Sequence, residues 1–142
     1  MIISTKGRYA LRVMIDLAQH PTEGYTPLQE ISDRQAISKE YLSSILKLLV
    51  EKGMLDSLRG KGGGYRLKHP PEHYQIGGIL EIAEGDLAPV SCVLEEHRCP
   101  NSVHCQTHAL WQGLDAVISD YLNGVTLADF LPGGRFSTPA QV

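Results

Sequence analysis

Three cysteines and a histidine hold the densest chemistry in this chain, in the order Cys92-x6-Cys99-x5-Cys105-x2-His108. Three soft thiolates and an imidazole make a complete four-donor set for a metal ion or an iron–sulfur cluster. The chain has three cysteines in all, so none lies elsewhere. The N-terminal stretch Met1-Ile-Ile-Ser-Thr-Lys-Gly-Arg has neither a long apolar run nor a small-residue cleavage site. An odd cysteine count without an export signal argues against a disulfide framework. No stretch approaches the length of a transmembrane helix, so we expect no membrane partner and a reducing cytoplasm that keeps the thiols available. The loop between the first two cysteines, Val-Leu-Glu-Glu-His-Arg, is too polar for ordinary core.

The donor set leaves three chemistries open. Structural zinc sites usually contain a tight C-x2-4-C pair, whereas the gaps here are six and five residues, which favours a cluster over zinc. One imidazole among thiolates is a ligand that protonation near neutral pH can remove, which suits a sensor better than an electron carrier. A pure thiol switch is the third possibility, and no feature of the sequence lowers the pKa of one cysteine.

A second chemistry lies in the first half. Residues 1–70 carry eleven Lys/Arg and seven Asp/Glu (+4) and residues 71–142 carry two and nine (−7), which together give the net charge of −3. A basic first half beside an acidic remainder fits a polyanionic partner for the first half only. Its candidates are Ser38, Lys39, Glu40, Tyr41, Ser43 and Lys47, followed by Arg59, Lys61, Gly62, Gly63 and Tyr65. Hydroxyls and lysines suit phosphates, a helix N-terminus adds partial positive charge, and Glu40 can accept from a cytosine amine. Arg59 suits a narrow minor groove, and the glycines beside it let backbone approach a groove wall. Gly60-Lys61-Gly62-Gly63-Gly64 is not a nucleotide-binding P-loop, because that loop leads from a strand into a helix and ends in Lys-Ser/Thr.

These residues need elements to hold them, and 142 residues with 42% hydrophobic and 20% charged content suffice for a globular core. Ser4 or Thr5 caps a first helix whose inner face is Ala10, Val13, Met14, Leu17 and Ala18, ended by Pro21 and Gly24. Thr26-Pro27-Leu28-Gln29 reads as a capping box opening a short helix to about Arg34. After Gln35-Ala36-Ile37, Ser38 caps a third helix with Leu42, Ile45, Leu46 and Leu49 inward and Gly53 at its end. Met54–Arg59 and Tyr65–Lys68 read as two strands around the glycine-rich tip, and His69-Pro70-Pro71 as a linker.

A helix-turn-helix followed directly by such a hairpin predicts a mainly α fold with a small β wing. A short helix over Ile76–Ala83 and a loop from Asp86 to Cys105 follow. A long helix beginning near His104 carries Leu110, Leu114, Val117 and Tyr121 on one stripe, beside Trp111, Ile118 and Leu122. That stripe predicts a dimerisation helix; packing back on its own lobe is the alternative. Asn123-Gly124 ends it and Thr126 caps one more turn to Leu131. The expected division is a winged-helix DNA-binding domain over 1–70, a cluster-loop and dimerisation segment over 71–131, and a disordered tail over 132–142.

Four motifs in order resemble one family. These are Ser4-Thr5-Lys6-Gly7-Arg8-Tyr9-Ala10, Arg59-Gly60-Lys61-Gly62-Gly63-Gly64-Tyr65, the three cysteines after a short helix, and Thr107-His108-Ala109-Leu110-Trp111. Over about residues 1–131 the chain resembles the IscR-type iron–sulfur winged-helix transcription regulators, whose cluster-binding relatives include nitric-oxide-responsive and iron-responsive repressors. The resemblance implies a homodimer on a palindromic double-stranded DNA operator. It also implies a [2Fe-2S] cluster on Cys92, Cys99, Cys105 and His108, with Arg59 reading the minor groove. Three positions depart from the pattern. The first cysteine gap is one residue longer than in the histidine-ligated members, which places His97 and His104 within reach as substitutes. Ser43 stands where a family glutamate discriminates between operators, and Arg8 stands where nitric-oxide sensors carry an acidic ligand. A zinc-stabilised or thiol-switched regulator, or a small redox or cluster-transfer protein, is the competing reading. An enzyme is disfavoured, since no nucleophile–base pair or cofactor fingerprint is present.

Overall fold

The computed structural model describes residues 3–94, 100–101 and 103–137. Helices α1 (Thr5–Gln19), α2 (Leu28–Gln35) and α3 (Lys39–Glu51) lead into strands β1 (Leu55–Leu58) and β2 (Gly64–Leu67), then α4 (Ile76–Glu84) and α5 (His108–Asn123). Ser4 caps α1 by accepting from the Gly7 amide, and Ser38 caps α3 by accepting from the Tyr41 amide. The expected inner faces are the buried ones, Val13 and Met14 on α1 and Leu42, Ile45, Leu46 and Leu49 on α3. Between α2 and α3 the chain turns through Ala36 at φ 54°, left-handed backbone that a side chain enters at a cost of about 1–2 kcal/mol. The sharp turn this makes sets α3 against α1 and α2.

The capping box expected at Thr26 does not form. Pro27 is the N-cap of α2 without a side-chain bond, and Gln29 donates to Asp33 Oδ1 at 2.7 Å instead of reaching back. Thr26 is extended and buried, and it exchanges backbone bonds of 2.8 and 2.9 Å with Tyr65. The segment before α2 thus pairs with the wing, and the helix-turn-helix is tied to its hairpin. β1 and β2 are antiparallel, with Leu55 opposite Leu67 and Leu58 opposite Gly64. The turn between them needs positive φ at Gly60 (90°) and Gly62 (76°), so these glycines make the hairpin as well as keep it slim.

The Pro70–Pro71 stretch is firmly held. The Tyr74 hydroxyl donates to the Met54 carbonyl at 2.7 Å and accepts from the Lys68 and His69 amides, each at 2.9 Å. Tyr74, Ile76, Ile79, Leu80, Val125 and Leu127 then join α1 and α3 in a single hydrophobic core. Ile76 N–H bonds the Val125 carbonyl and Leu127 N–H bonds the Tyr74 carbonyl, so the chain after α5 returns beside the start of α4. Thr126 forms the expected capping turn with Asp129 over Leu127–Phe130.

Of the tail expected to be disordered over 132–142, residues 138–142 lie outside the described residues, while 132–137 fold back: Phe136 stacks on Phe130 with 5.2 Å between ring centres, and Arg135 lies over Tyr121. No residue of α5 is buried, and Leu110, Leu114, Val117 and Tyr121 are 62%, 40%, 65% and 52% exposed. The stripe is thus largely uncovered, although Val117 and Tyr121 border an apolar pocket with Ile3 and Leu80, and Leu122 packs on the core. No helix among the described residues is long and apolar enough to cross a membrane.

Candidate nucleic-acid interface and ligand segment

Recognition-helix candidates fall where helical spacing places them. Ser38, Lys39, Glu40, Ser43 and Lys47 are exposed, while Tyr41 is half-buried with its ring edge-on to Tyr9 at 5.6 Å. On the wing Arg59, Lys61 and Gly62 are exposed, and Gly63 and Tyr65 are half-buried. Ser43, Lys47, Arg59, Gly63 and Tyr65 line one groove of about 510 Å3 between α3 and the wing. Lys61 and Gly62 lie beyond it on the wing turn, and Ser38–Tyr41 form the N-terminal end of α3.

Charge in this region is left available. Among the described residues no carboxylate pairs with Lys39, Lys47, Arg59 or Lys61, whereas Arg66 and Lys68 both lie within 4 Å of Asp56. Cations without carboxylate partners beside a groove are suited to phosphates and exchange counterions for them on binding. The groove also includes Pro27, Leu28, Ser57, Leu58 and the carboxylate Glu51, which sequence reasoning missed. The exposure of Leu58, 48%, shows only in the fold.

Between α1 and the end of α2 sits a buried ion pair that the sequence did not announce. Asp16 on α1 is fully buried; Arg34 of α2 donates to both its oxygens at 2.8–3.2 Å, and Gln35 Nε2 donates to Oδ1 at 2.9 Å. The Asp16 bond raises the Arg34 pKa above its ordinary value, against partial burial that lowers it. Arg12 also bonds the Gln35 side chain and carbonyl. The α2–α3 turn is thereby fastened to α1.

The candidate ligand segment is described in part, with residues 95–99 and 102 outside the described residues. Cys92 sits half-buried in the 3-10 turn Ser91–Val93, which packs against α5. Cys105 is exposed, and His108 opens α5, its amide bonding the Cys105 carbonyl at 3.4 Å. Cys99 and His97 lie outside the described residues; His104 is exposed. Among the described residues no three His, Cys, Asp or Glu side chains gather as a metal site. The donor chemistry nonetheless fits a cluster: Cys92 and Cys105 are free thiols, and His108 adds an imidazole on the adjoining helix turn. The sequence shows nothing that lowers the pKa of one cysteine, but the fold does. Thr107 Oγ1 lies 3.3 Å from Cys105 Sγ and holds that thiol below its ordinary pKa, a depression that no spacing rule revealed.

The chain is similar to known transcriptional regulators over most of its length. The HTH-type transcriptional regulator IscR of Aliivibrio salmonicida is 37% identical over 131 residues, which cover 92% of this chain and 77% of that protein. IscR of Erwinia tasmaniensis is 38% identical, with 92% and 79% covered. Among solved structures, CymR, the global cysteine regulator of B. subtilis, superposes with a TM-score of 0.75 at 35% identity, covering 92% and 95% of the two chains. T. potens IscR superposes at 0.71 and 34% identity, covering 92% and 85%. The model of the Rrf2 family, described as an iron-dependent transcriptional regulator, matches residues 3–133. With its winged helix and cation-lined groove, this chain belongs to the Rrf2 family of transcriptional regulators.

Proposed function

We propose that the protein is a homodimeric regulator that binds a palindromic operator through α3 and the wing, with Cys92, Cys99, Cys105 and His108 holding a [2Fe-2S] cluster. The reading rests on one observation above others: His108, the last donor of the set, is the first residue of the helix whose apolar stripe is largely exposed. Input and assembly surface thus share one helix. When bound, the cluster supplies an iron- and redox-sensitive cross-link between the 86–105 loop and α5.

The chain's own residues do the rest. Leu110, Leu114, Val117 and Tyr121 form the seam, and Gly113 stands on the same stripe with nothing within 4 Å of where its side chain would begin. A glycine there costs the helix about 1 kcal/mol relative to alanine, and a partner helix in close approach accounts for it. A two-fold dimer sets the spacing of its two α3 helices, and operator half-sites mirror that spacing.

Anaerobic isolation followed by an absorption spectrum tests the ligand assignment. We expect visible absorption and equal amounts of iron and sulfide, lost together in Cys92→Ala and in His108→Ala. A colourless protein with stoichiometric zinc overturns the cluster. Equal affinity for DNA with and without the cluster removes the switch and leaves DNA binding standing.

A thiol-switched regulator is the second reading, favoured by the exposure of Cys105 and the likeness to a cysteine regulator. It predicts that mild peroxide changes DNA binding by cluster-free protein, and that Cys105→Ser abolishes the response.

A further inference from the structure

Glu84 is the last residue of α4, and Gly85 (φ 88°) turns the chain from it into the ligand segment. Its side chain points away from that segment, to the N-terminus of α1. Glu84 Oε1 accepts from the Ser4 amide at 2.9 Å and from Ser4 Oγ at 2.5 Å, while Ser4 Oγ accepts from the Gly7 amide at 3.2 Å. One carboxylate thus completes the cap of α1 across eighty positions of sequence. Gly7 is bare because Glu84 fills its space: a side-chain carbon there would lie 2.1 Å from Glu84 Oε1. The next turn of α1 carries Tyr9, whose ring meets Tyr41 at the start of α3, and Arg12, which bonds the end of α2. A single rigid helix therefore connects the root of the ligand loop with the reading end of α3.

We infer that Glu84 is a positioning residue through which the state of the 86–105 segment reaches the recognition helix, by fixing or freeing the N-terminus of α1. This rests on the ligand-segment reading above. Ordering the segment holds the α4 C-terminus and seats Glu84 on Ser4. Releasing it lets the cap open and leaves Tyr9 and Tyr41 less constrained. The element that moves is the first turn of α1, and neither DNA nor ligand touches Glu84.

The test uses full-length protein, loaded and cluster-free, on a duplex recovered by selection from a random DNA pool with the wild type. We expect a wild-type affinity ratio between the two forms on the order of tenfold, a usual size for coupling between sites. Glu84→Ala and Gly7→Ala should bring the ratio to within about twofold of unity and leave cluster-free affinity within about twofold of wild type. Glu84→Gln keeps an acceptor at Oε1 and should retain most of the ratio. Amide hydrogen exchange supplies a readout apart from DNA: residues 5–9 and 38–42 should exchange faster in cluster-free than in loaded wild type, and equally fast in both forms of Glu84→Ala. A wild-type ratio of one sinks the ligand-segment reading and this inference together. A tenfold ratio that survives in both Glu84→Ala and Gly7→Ala overturns this inference alone. So does an equal loss of affinity in both forms, which marks a structural cap only. If Glu84→Ala does not fold, Gly7→Ala and Glu84→Gln decide the matter.

Discussion

Asp16 is fully buried, and its charge is tolerable because Arg34 and Gln35 satisfy both oxygens. Removing one partner of such a pair strands the other, so Arg34→Met should lower unfolding free energy by about 3 kcal/mol in urea denaturation. Loss of DNA binding should accompany it, because the same bonds hold the α2–α3 turn to α1. Tyr74 makes a different kind of anchor. Burial raises its pKa above the ordinary value, and the amides of His69 and Lys68 pull it down. The unfolded phenol ionises near pH 10, so the stabilisation is complete below about pH 10 and fades as pH rises through the higher folded value. Tyr74→Phe should cost about 2 kcal/mol at pH 8, since it leaves the Met54 carbonyl without its donor and two amides without their acceptor. The gap between wild type and variant should narrow at pH 11.

At the scale of elements, the wing and α5 make separable contributions. Arg59 and Lys47 lie on one groove without a carboxylate partner among the described residues. Arg59→Ala should weaken operator binding by about 1–3 kcal/mol if it reads a groove, and Lys47→Ala should reduce the salt dependence of binding by about one counterion. Fluorescence anisotropy over a salt series measures both. A redox or cluster-transfer protein using this fold as a scaffold would be indifferent to either change. On α5, Val117 is 65% exposed, so Val117→Lys should leave the helical spectrum and melting of the chain nearly unchanged, within about 0.5 kcal/mol. If α5 forms the proposed seam, sedimentation should nevertheless report a monomer, because a lysine on each copy would place two like charges in it.

For the molecule as a whole, the two halves are one packed body rather than beads on a linker. Tyr74 ties α4 to the wing, Leu127 and Val125 bring the end of α5 into the α1–α3 core, and Glu84 reaches back to Ser4. A change in the proposed ligand segment would have short routes through this packing to α3 and the wing. It also explains why the charge asymmetry of the sequence is useful: the basic half presents the groove, and the acidic half supplies the segment and α5.

By itself the sequence determined whatever repeats at helical spacing or sits next to its partner in the chain. Val13 and Met14, the Leu42–Leu49 face, the caps at Ser4 and Ser38, the hairpin, the turn at Thr126 and the apolar stripe of α5 are of that kind. So is the spacing of three cysteines and His108, since donor type and order are properties of the chain. Only the tertiary structure decided what depends on closeness across the fold: Thr26 paired with Tyr65 instead of capping α2, Arg34 on Asp16, Thr107 against the Cys105 thiol, and Ser43, Lys47 and Arg59 on a common groove. Glu84 is the clearest case. Local periodicity reads it as the polar end of a short helix, and nothing in its neighbourhood points to Ser4, eighty positions away. Local pattern fixes which faces are apolar; long-range packing chooses which polar atoms must meet to leave none unsatisfied.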